Sequence, residues 1–492
     1  MNRLNRSHLT EAERRSHEAA LNSPVSVLQI GEGHFLRGFF DWMIHRCREL
    51  GLFEGSVAVT QPRPSGRAKI EALAAQEGLY TLVIRGLENG ERVERREIVT
   101  VFSAVFDPYA DWQRLIAIAE SPSLRFVVSN TTEAGLAYRP EPLRDNEPIE
   151  SFPGKIAWLL YRRYLAFSGA PDRGVVFLPC ELLERNGDEL KRCVLRYCDD
   201  WGLPEAFRRW VADHNRFLNS LVDRIVTGYP SEQAGAWFAE WGYEDAMLNA
   251  AEPYHFWAIE GDPKLDKELP LARAGLNVRW VDDLRPYQLR KVRILNGAHT
   301  LMTPLALLHG FEFVRETMEH PAFGPFVREA VEREIVPALP LPEDELTAYA
   351  ATVYERFLNP FIRHRLSDIA MNSLSKFKTR LLPSLLHYAE RGEPLPERIV
   401  RSLAGLLRYY KVEKREDGHI GRTLAGNEYA VRDDASLLET IASVWAQRLG
   451  TEPTVRKLLG LTEIWGADLS AVEGLGGRIA FYLTEMEEAN DE

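Results

Sequence analysis

The feature that most constrains the fold is a strand, a glycine turn, a helix and a second strand within residues 25–60. An apolar run from Val25 to Ile30 ends in Gly31-Glu32-Gly33, and the apolar spacing that follows predicts one helix ending near Gly51. A β-type run from Val57 to Thr60 comes next. Because crossovers between parallel strands are right-handed, this segment predicts a parallel βαβ unit.

The rest of the first half continues this α/β pattern. Asn89-Gly90 between two alternating runs predicts a hairpin, and further strands are predicted at Leu124 to Thr132 and Gly174 to Leu183. Beyond about Val281, long segments with helical periodicity dominate. We therefore predict a Rossmann-like α/β domain with a parallel sheet over residues 1–281 and a mostly α-helical substrate and catalytic domain over residues 282–492.

Composition narrows the class of protein. A chain of 492 residues with 45% hydrophobic and 27% charged residues suits a globular protein of two domains. The net charge of −12 argues against a nucleic-acid partner, although a few buried cations would still accept a small anionic substrate. The polar N-terminus and the lack of a long apolar run predict a cytoplasmic protein without a membrane anchor. The four cysteines lack zinc-ligand spacing, so no metal site and only reduced thiols are expected.

The glycine turn predicts a dinucleotide site. Gly31 and Gly33 allow the backbone to approach a pyrophosphate at the start of the next helix, although Leu36 replaces the third glycine of GxGxxG. The second strand ends without the acidic residue that usually holds the adenosine ribose. Gln61 could bond the ribose hydroxyls, whereas Arg63 and Arg67 would suit a 2′-phosphate, so both NAD and NADP stay open here.

A polar cluster lies at the end of the strand predicted at Leu124 to Thr132. Asn130, Thr131 and Glu133 are candidates to meet the nicotinamide side of the cofactor, since ligands bind at the carboxyl edge of such sheets. The alternative is that Thr131 or Thr132 only caps a helix.

Lys291, Asn296 and His299 lie in one predicted helix that Pro286 can start. With 100° per residue they project within an arc of about 140° and span roughly 12 Å. An amine, a carboxamide and an imidazole on one face supply the proton donor and the polar contacts that reduction of a carbonyl needs. The alternative for each residue is a solvated or structural side chain.

Taken together, these motifs resemble the long-chain polyol dehydrogenase family. Lys291, Asn296 and His299 match its KxxxxNxxH pattern, residues 31–37 match its GxGxFxR turn, and residues 222–225 match its VDRI segment. The resemblance implies that Lys291 is the general acid/base and that Asn296 and His299 bind and orient the reacting oxygen. It also implies cofactor contacts from the following residues of these segments: Gly31, Glu32, Gly33, His34, Phe35, Arg37 and Asp223.

Within the family, the longest matching stretches imply metal-independent, NAD-linked interconversion of D-altronate and D-tagaturonate in hexuronate catabolism. Fructuronate or mannitol as the substrate is the alternative, although Cys180-Glu181-Leu182 stands where mannitol dehydrogenases carry CDN. A sugar-acid substrate brings a carboxylate, which a cation must meet. Five basic residues crowd one stretch of the second domain, and we predict contacts from Arg363, His364 and Lys376 among them.

Overall fold

The computed structural model describes residues 2–144, 147–416 and 418–488, which form two compact units. The first unit contains the residues up to Glu88 together with Arg92–Leu284. The second contains Asn89–Glu91 and the residues from Arg285 onward.

A six-stranded parallel sheet organises the first unit. Its strands are β1 (Val25–Ile30), β2 (Ser56–Thr60), β3 (Phe102–Val105), β4 (Phe126–Ser129), β5 (Val176–Pro179) and β6 (Arg216–Phe217). The order across the sheet is β3-β2-β1-β4-β5-β6, and every neighbouring pair is parallel. This is the strand order of dinucleotide-binding doubly wound sheets. The chain adds strands towards one edge from β1 to β3 and towards the other edge from β4 onward, so the order reverses between β1 and β4. The predicted Rossmann-like fold is confirmed.

Apolar side chains on both faces of the sheet are buried, as an all-parallel sheet requires. Val27 and Val57 belong to one core cluster, which the helix Phe40–Glu49 covers, whereas Leu28 and Ala58 belong to the cluster on the opposite face. Alternate residues of one strand therefore support different layers of helices. The helices of this unit are Glu11–Asn22, His34–Arg37, Phe40–Glu49, Arg67–Ala75, Trp112–Ala119, Glu133–Leu136, Phe152–Ala166, Asn186–Asp200, Glu205–His214 and Ser231–Trp241.

The single helix predicted after the glycine turn is wrong, because the structure contains two. His34–Arg37 is one short helix, and Phe40–Glu49 begins after a break. At Gly38 a Cβ would lie 2.8 Å from the Val226 side chain, so close packing occupies this point, and Phe39 leaves helical geometry with φ −133° and ψ −79°. Apolar spacing continues across the break, which is why periodicity alone missed it.

Smaller sheets complete the first unit. The predicted hairpin is present as Tyr80–Glu88 and Glu91–Val99, and both turn residues have positive φ, 55° at Asn89 and 79° at Gly90. These strands join Val226–Gly228 and Asn249–Ala251 in a four-stranded sheet. The remaining strands of this unit are Asn2–Arg3 with Tyr243–Glu244, and Ser220–Asp223 with Phe256–Glu260 and Val278–Val281.

The second unit is mostly helical, as predicted. Its α-helices are Arg285–Arg290, Asn296–Leu308, Val314–Glu319, Phe323–Ala330, Glu343–Phe357, Leu366–Ile369, Ser373–Arg380, Leu382–Glu390, Glu397–Tyr409, Ala435–Ala446, Thr451–Leu459, Thr462–Trp465 and Leu475–Glu488. Two π-helical turns, Lys291–Leu295 and Val331–Ile335, interrupt this regular geometry. The sequence did not indicate the antiparallel sheet of β7 (Val412–Arg415), β8 (Gly418–Arg422) and β9 (Glu428–Val431).

The four cysteines are buried free thiols. Among the described residues, no helix is both long and apolar enough to cross a membrane.

Candidate active site

The glycine turn at the end of β1 has the shape that a pyrophosphate needs. Gly31 has φ +135°, and a Cβ there would lie 3.0 Å from the carbonyl oxygen of Asn130. Gly33 has open space instead, since a Cβ there would meet no described atom within 4 Å apart from the adjoining backbone. The turn therefore combines a strained position that favours glycine with a position where a ligand can reach the backbone.

A buried carboxyl supports this turn from behind. The Nε2 of Gln29 donates to the carbonyl oxygen of Gly31 at 2.9 Å and to Oδ2 of Asp41 at 3.1 Å. Burial raises the pKa of Asp41 to about 8, against the opposing effects of Gln29 and Arg37. At neutral pH the Asp41 carboxyl is therefore mainly protonated.

Arg37 also supports the turn from inside the first unit. Its guanidinium is fully buried, and it donates from Nε to the Glu32 carbonyl at 3.1 Å and from another nitrogen to the Met247 carbonyl. Its third nitrogen lies 3.0 Å from Nδ1 of His34. These bonds hold Arg37 against the turn, and its predicted contact with the cofactor stays a prediction.

The neighbouring side chains of the turn are also largely enclosed. Burial lowers the pKa of His34 to about 4, so its imidazole is neutral at physiological pH. Phe35 stacks on Phe39 with ring centroids 4.9 Å apart. Glu32 is buried, which raises the pKa of its carboxyl.

The predicted polar cluster lies at the end of β4, next to the turn. Asn130 donates from Nδ2 to the Cys180 carbonyl at 2.7 Å, and Thr131 donates from its backbone nitrogen and its hydroxyl to Oε1 of Glu181. Glu181 is fully buried and fixes this loop, a role that the sequence did not indicate. Thr132 caps the helix Glu133–Leu136, and Glu133 is exposed.

Gln61 lies buried at the end of β2, where an adenosine ribose is expected. Its Nε2 donates to Oδ1 of Asp107 at 2.7 Å, and its Oε1 has no hydrogen-bond partner among the described residues. Sequence reasoning missed Asp107 because this residue follows β3, the neighbouring strand in the sheet but a distant one in the chain. Arg67 is paired with Glu71 at 2.7 Å.

A cavity of about 740 Å³ opens at this edge of the sheet, and residues 62–65 and Thr131 belong to its lining. The cavity, the open backbone at Gly33 and the unpartnered Oε1 of Gln61 together fit a dinucleotide. Asp223 is buried at the end of the strand Ser220–Asp223. The adjacent Arg224 donates to the carbonyl oxygens of Glu252 and Gly38. The second of these hydrogen bonds links the VDRI segment to the break between the helices His34–Arg37 and Phe40–Glu49.

In the second unit, the first π-helical turn lies within the KxxxxNxxH motif. The backbone N–H of Asn296 donates to the carbonyl oxygen of Lys291, five residues earlier, where an α-helix would bond residues four apart. One extra residue in this turn narrows the arc of Lys291, Asn296 and His299 to about 60° instead of about 140°. The predicted common face is therefore narrower than regular helical geometry implies.

His299 lies at the centre of a cationic cluster. Its side chain is only 7% exposed, and its Nε2 finds no hydrogen-bond partner in the described part of the chain. The ring of Phe357 lies 4.3 Å away, and the ring of His364 lies 4.7 Å away and nearly perpendicular to it. Burial, assisted by the electrostatic effects of His364, Arg356, Arg380 and Lys376, holds the pKa of His299 well below its ordinary value. The imidazole is therefore neutral.

The cations of this cluster come from two helices, Glu343–Phe357 with Arg356 and Ser373–Arg380 with Lys376 and Arg380. Lys376 donates to the carbonyl oxygen of Ile369 at 2.7 Å, and burial lowers its pKa. Arg380 donates to the Thr300 hydroxyl at 3.1 Å, which links it to the helix that carries His299. Arg380 and Arg356 were not among the predicted contacts. Arg363 was predicted as a contact. Its side chain is exposed, and the guanidinium lies over the ring of Phe313, 5.2 Å from the ring centroid.

Among the described residues, no group of three or more His, Cys, Asp or Glu side chains is placed to hold a metal ion.

Family models match both units. The model of the mannitol dehydrogenase Rossmann domain matches residues 25–273, and that of the mannitol dehydrogenase C-terminal domain matches residues 283–487. The chain belongs to the mannitol dehydrogenase family. The family predicted from the sequence is confirmed, and so is the prediction of an oxidoreductase.

Curated relatives of this mannitol dehydrogenase family member include an altronate oxidoreductase of Bacillus subtilis (strain 168), which is 44% identical over 94% of this chain and 93% of that protein. Altronate oxidoreductases of Halalkalibacterium halodurans and Pectobacterium carotovorum subsp. carotovorum are each 42% identical. The match to the first spans 93% of this chain and 90% of that protein, and the match to the second spans 94% of this chain and 95% of that protein.

Two solved structures of dehydrogenases share the fold. A D-sorbitol dehydrogenase in substrate-free form gives a TM-score of 0.77 at 19% identity, with 96% of this chain and 95% of that chain covered. A Pseudomonas fluorescens mannitol 2-dehydrogenase in a ternary complex with NAD and D-mannitol gives a TM-score of 0.63 at 23% identity, with 96% of this chain and 93% of that chain covered.

Proposed function

We propose that this enzyme interconverts D-tagaturonate and D-altronate with NAD as the cofactor. The observation that carries the substrate class is the group of cations around His299, because a sugar acid presents a carboxylate that an uncharged polyol lacks. Arg356, Lys376 and Arg380 all act on His299 electrostatically. Relatives that are 40–44% identical over most of the chain are named altronate oxidoreductase, which supports the same substrate.

The residues of the second unit take distinct roles in this proposal. Lys291 exchanges a proton with the oxygen of the reacting carbon, as its general acid in reduction and its general base in oxidation. Asn296 donates its amide N–H to the charge that develops on this oxygen. His299 is neutral, so its unpartnered Nε2 bonds a neighbouring hydroxyl of the substrate without adding charge.

Lys376 takes the substrate carboxylate, with His364 beside it. The lysine amine has three donors, of which one goes to the Ile369 carbonyl, and a carboxylate accepts charge-assisted hydrogen bonds from such a group. Arg363 is kept as a further candidate contact, on the sequence pattern alone.

In the first unit, Gly31, Gly33 and the loop of Asn130 and Thr131 would hold the dinucleotide. A bound nicotinamide ring supplies or accepts the hydride. The choice of NAD over NADP rests on Asp107 beside Gln61, because a carboxylate there repels a 2′-phosphate. Arg67, one of the two arginines that would suit that phosphate, is already paired with Glu71, whereas Arg63 lines the cavity.

Initial rates with a panel of substrates test this function. With NADH, tagaturonate should be reduced with a kcat/KM at least about tenfold above that of fructuronate, and at least about a hundredfold above that of fructose. NADPH should be used at least about tenfold less efficiently than NADH. Equal rates with fructose and tagaturonate would contradict the proposed carboxylate site. Higher rates with fructuronate than with tagaturonate would identify fructuronate as the substrate.

A further inference from the structure

A second cleft lies in the helical unit, apart from every residue placed above in the active site. Its volume is about 1100 Å³, and it is formed by strands β7 and β8 together with parts of the helices Glu397–Tyr409, Ala435–Ala446, Thr451–Leu459 and Leu475–Glu488. A cleft of this size accommodates a metabolite.

Three side chains that line this cleft carry buried polar atoms without a partner. They are Nε2 of His419, Nε1 of Trp445 and Nε of Arg408, and none of them has a hydrogen-bond partner within the described chain. The His419 side chain is only 8% exposed. Each buried unsatisfied atom costs about 1–3 kcal/mol, and buried polar groups in folded proteins nearly always have a partner. The wall of the cleft therefore holds three nitrogen atoms whose hydrogen bonds the described residues leave unmade.

The charge of the lining differs from that of the whole protein. Five Lys and Arg side chains and three Glu side chains line the cleft, in a chain whose net charge is −12. Lys411 and Arg408 lie 2.7 and 4.0 Å from Glu487. Lys414 is paired with Glu439, and Arg422 with Glu428 at 3.1 Å. Arg448 has no ion-pair partner in the described residues. The local excess is positive, which selects an anionic ligand.

We propose that this cleft binds a small organic phosphate. Arginine, lysine and imidazole N–H groups from several sides match the oxygens of a phosphate, which accepts more charge-assisted hydrogen bonds than a single carboxylate. The volume exceeds that of the phosphate group itself. The Trp445 ring and the side chains of Val412 and Ile420 line the remaining space and offer an apolar surface to the organic part.

Isothermal titration of the full-length enzyme, saturated with NADH so that its dinucleotide site is filled, tests this site. Glucose 6-phosphate serves as the probe, with glucose and inorganic phosphate as comparisons. We expect a Kd below about 1 mM for glucose 6-phosphate, no measurable binding of glucose, and at least about tenfold weaker binding of inorganic phosphate.

Variants then locate the binding. The Lys411→Gln/Arg448→Gln double variant and the conservative Trp445→Phe should each weaken binding of glucose 6-phosphate at least about tenfold. The matched control is Arg391→Gln, which removes a charge paired with Glu393 outside the cleft and should leave the Kd unchanged. Each variant is first checked for wild-type melting temperature and turnover.

The opposite results overturn the proposal. Absence of binding, or an unchanged Kd in both cleft variants, removes the site. If glucose bound as tightly as glucose 6-phosphate, the cleft would not recognise the phosphate group. If inorganic phosphate bound as tightly, the cleft would not recognise the organic part.

Discussion

The N–H of Asn296 bonds to the carbonyl oxygen of Lys291, and this one bond sets the angle between the two proposed catalytic side chains. In a regular α-helix, Asn296 would bond to residue 292 instead, and Lys291 would project about 140° away from Asn296. The π-helical turn reduces this angle to about 40°. Such turns occur mostly as single insertions in α-helices and frequently at functional sites.

Removal of the extra residue tests this geometry. Deleting Val292 should restore α-helical bonding and rotate Lys291 by about 100° relative to His299. We expect kcat to fall at least about a hundredfold, because the proton donor leaves the substrate oxygen. Val292→Ala keeps the chain length and is the control. Wild-type circular dichroism with unchanged turnover in the deletion variant would contradict this role of the turn.

The Lys291→Met variant tests the general acid/base directly. A methionine of similar length cannot carry the proton, so turnover should fall by about 10²–10⁴-fold at every pH, whereas the affinity for NADH should stay the same. Fluorescence titration with NADH and steady-state rates measure the two quantities. If the variant kept more than about a tenth of the activity, a loss below ~1.4 kcal/mol, Lys291 would not be the proton donor.

Lys376→Met should raise the KM for altronate by about tenfold to a hundredfold, since a charge-assisted hydrogen bond contributes about 1.5–3 kcal/mol. The KM for mannitol or another uncharged polyol should change much less. Lys378→Met is the matched control, because Lys378 lies on the same helix but its amine is next to Gly466. An equal rise for charged and uncharged substrates would take Lys376 out of the carboxylate site.

The two glycines of the turn should respond differently to alanine. Gly31→Ala should destabilise the protein by more than about 1 kcal/mol, because its φ is +135° and its Cβ would press on Asn130. Gly33 has an ordinary φ of −66° and open space where a Cβ would lie. The Gly33→Ala variant should therefore have the melting temperature of the wild type. Its NADH affinity should still fall at least about tenfold, and wild-type affinity would move the pyrophosphate elsewhere.

Asp41→Asn should change how stability depends on pH. Folded Asp41 keeps its proton up to about pH 8, while the unfolded chain releases it near the ordinary value of 3.8. The wild type therefore loses stability as the pH rises from about 4 to 8, by up to about 1.4 kcal/mol per pH unit from this group. Asparagine does not titrate, so the variant should gain stability relative to the wild type over this interval. Urea unfolding at pH 5.5, 6.5 and 7.5 measures the difference, and parallel curves would contradict the assigned protonation.

The sequence predicted those parts of the fold that depend on local patterns. β1 was predicted with its observed bounds, and Asn89-Gly90 forms the expected turn, because both signals lie within a few residues. The three strands after Tyr410 were missed, since charged residues fill Val412–Arg415 and hide any alternation. The helix break at Gly38 depends on Val226, almost 190 residues away, and no local pattern reports such a contact.

The candidate site follows the same division. Lys291, Asn296 and His299 were predicted from their spacing, and Arg363, His364 and Lys376 from the basic stretch that contains them, and these roles stay predictions. Asp107 and Glu181 could not be found from the sequence, because each follows one parallel strand and acts on a residue that follows another. The π-helical turn could not be found either, since periodicity assumes a constant rotation per residue.

The central position of β1 also has a consequence for synthesis of the chain. β1 lies between β2 and β4, and its second partner begins at Phe126. A ribosome that adds about 5–20 residues per second needs roughly 5–20 s to pass from Ile30 to that strand. During this interval one edge of the nascent strand has no β4 to pair with, and it is a place where a chaperone can bind or another chain can misassemble.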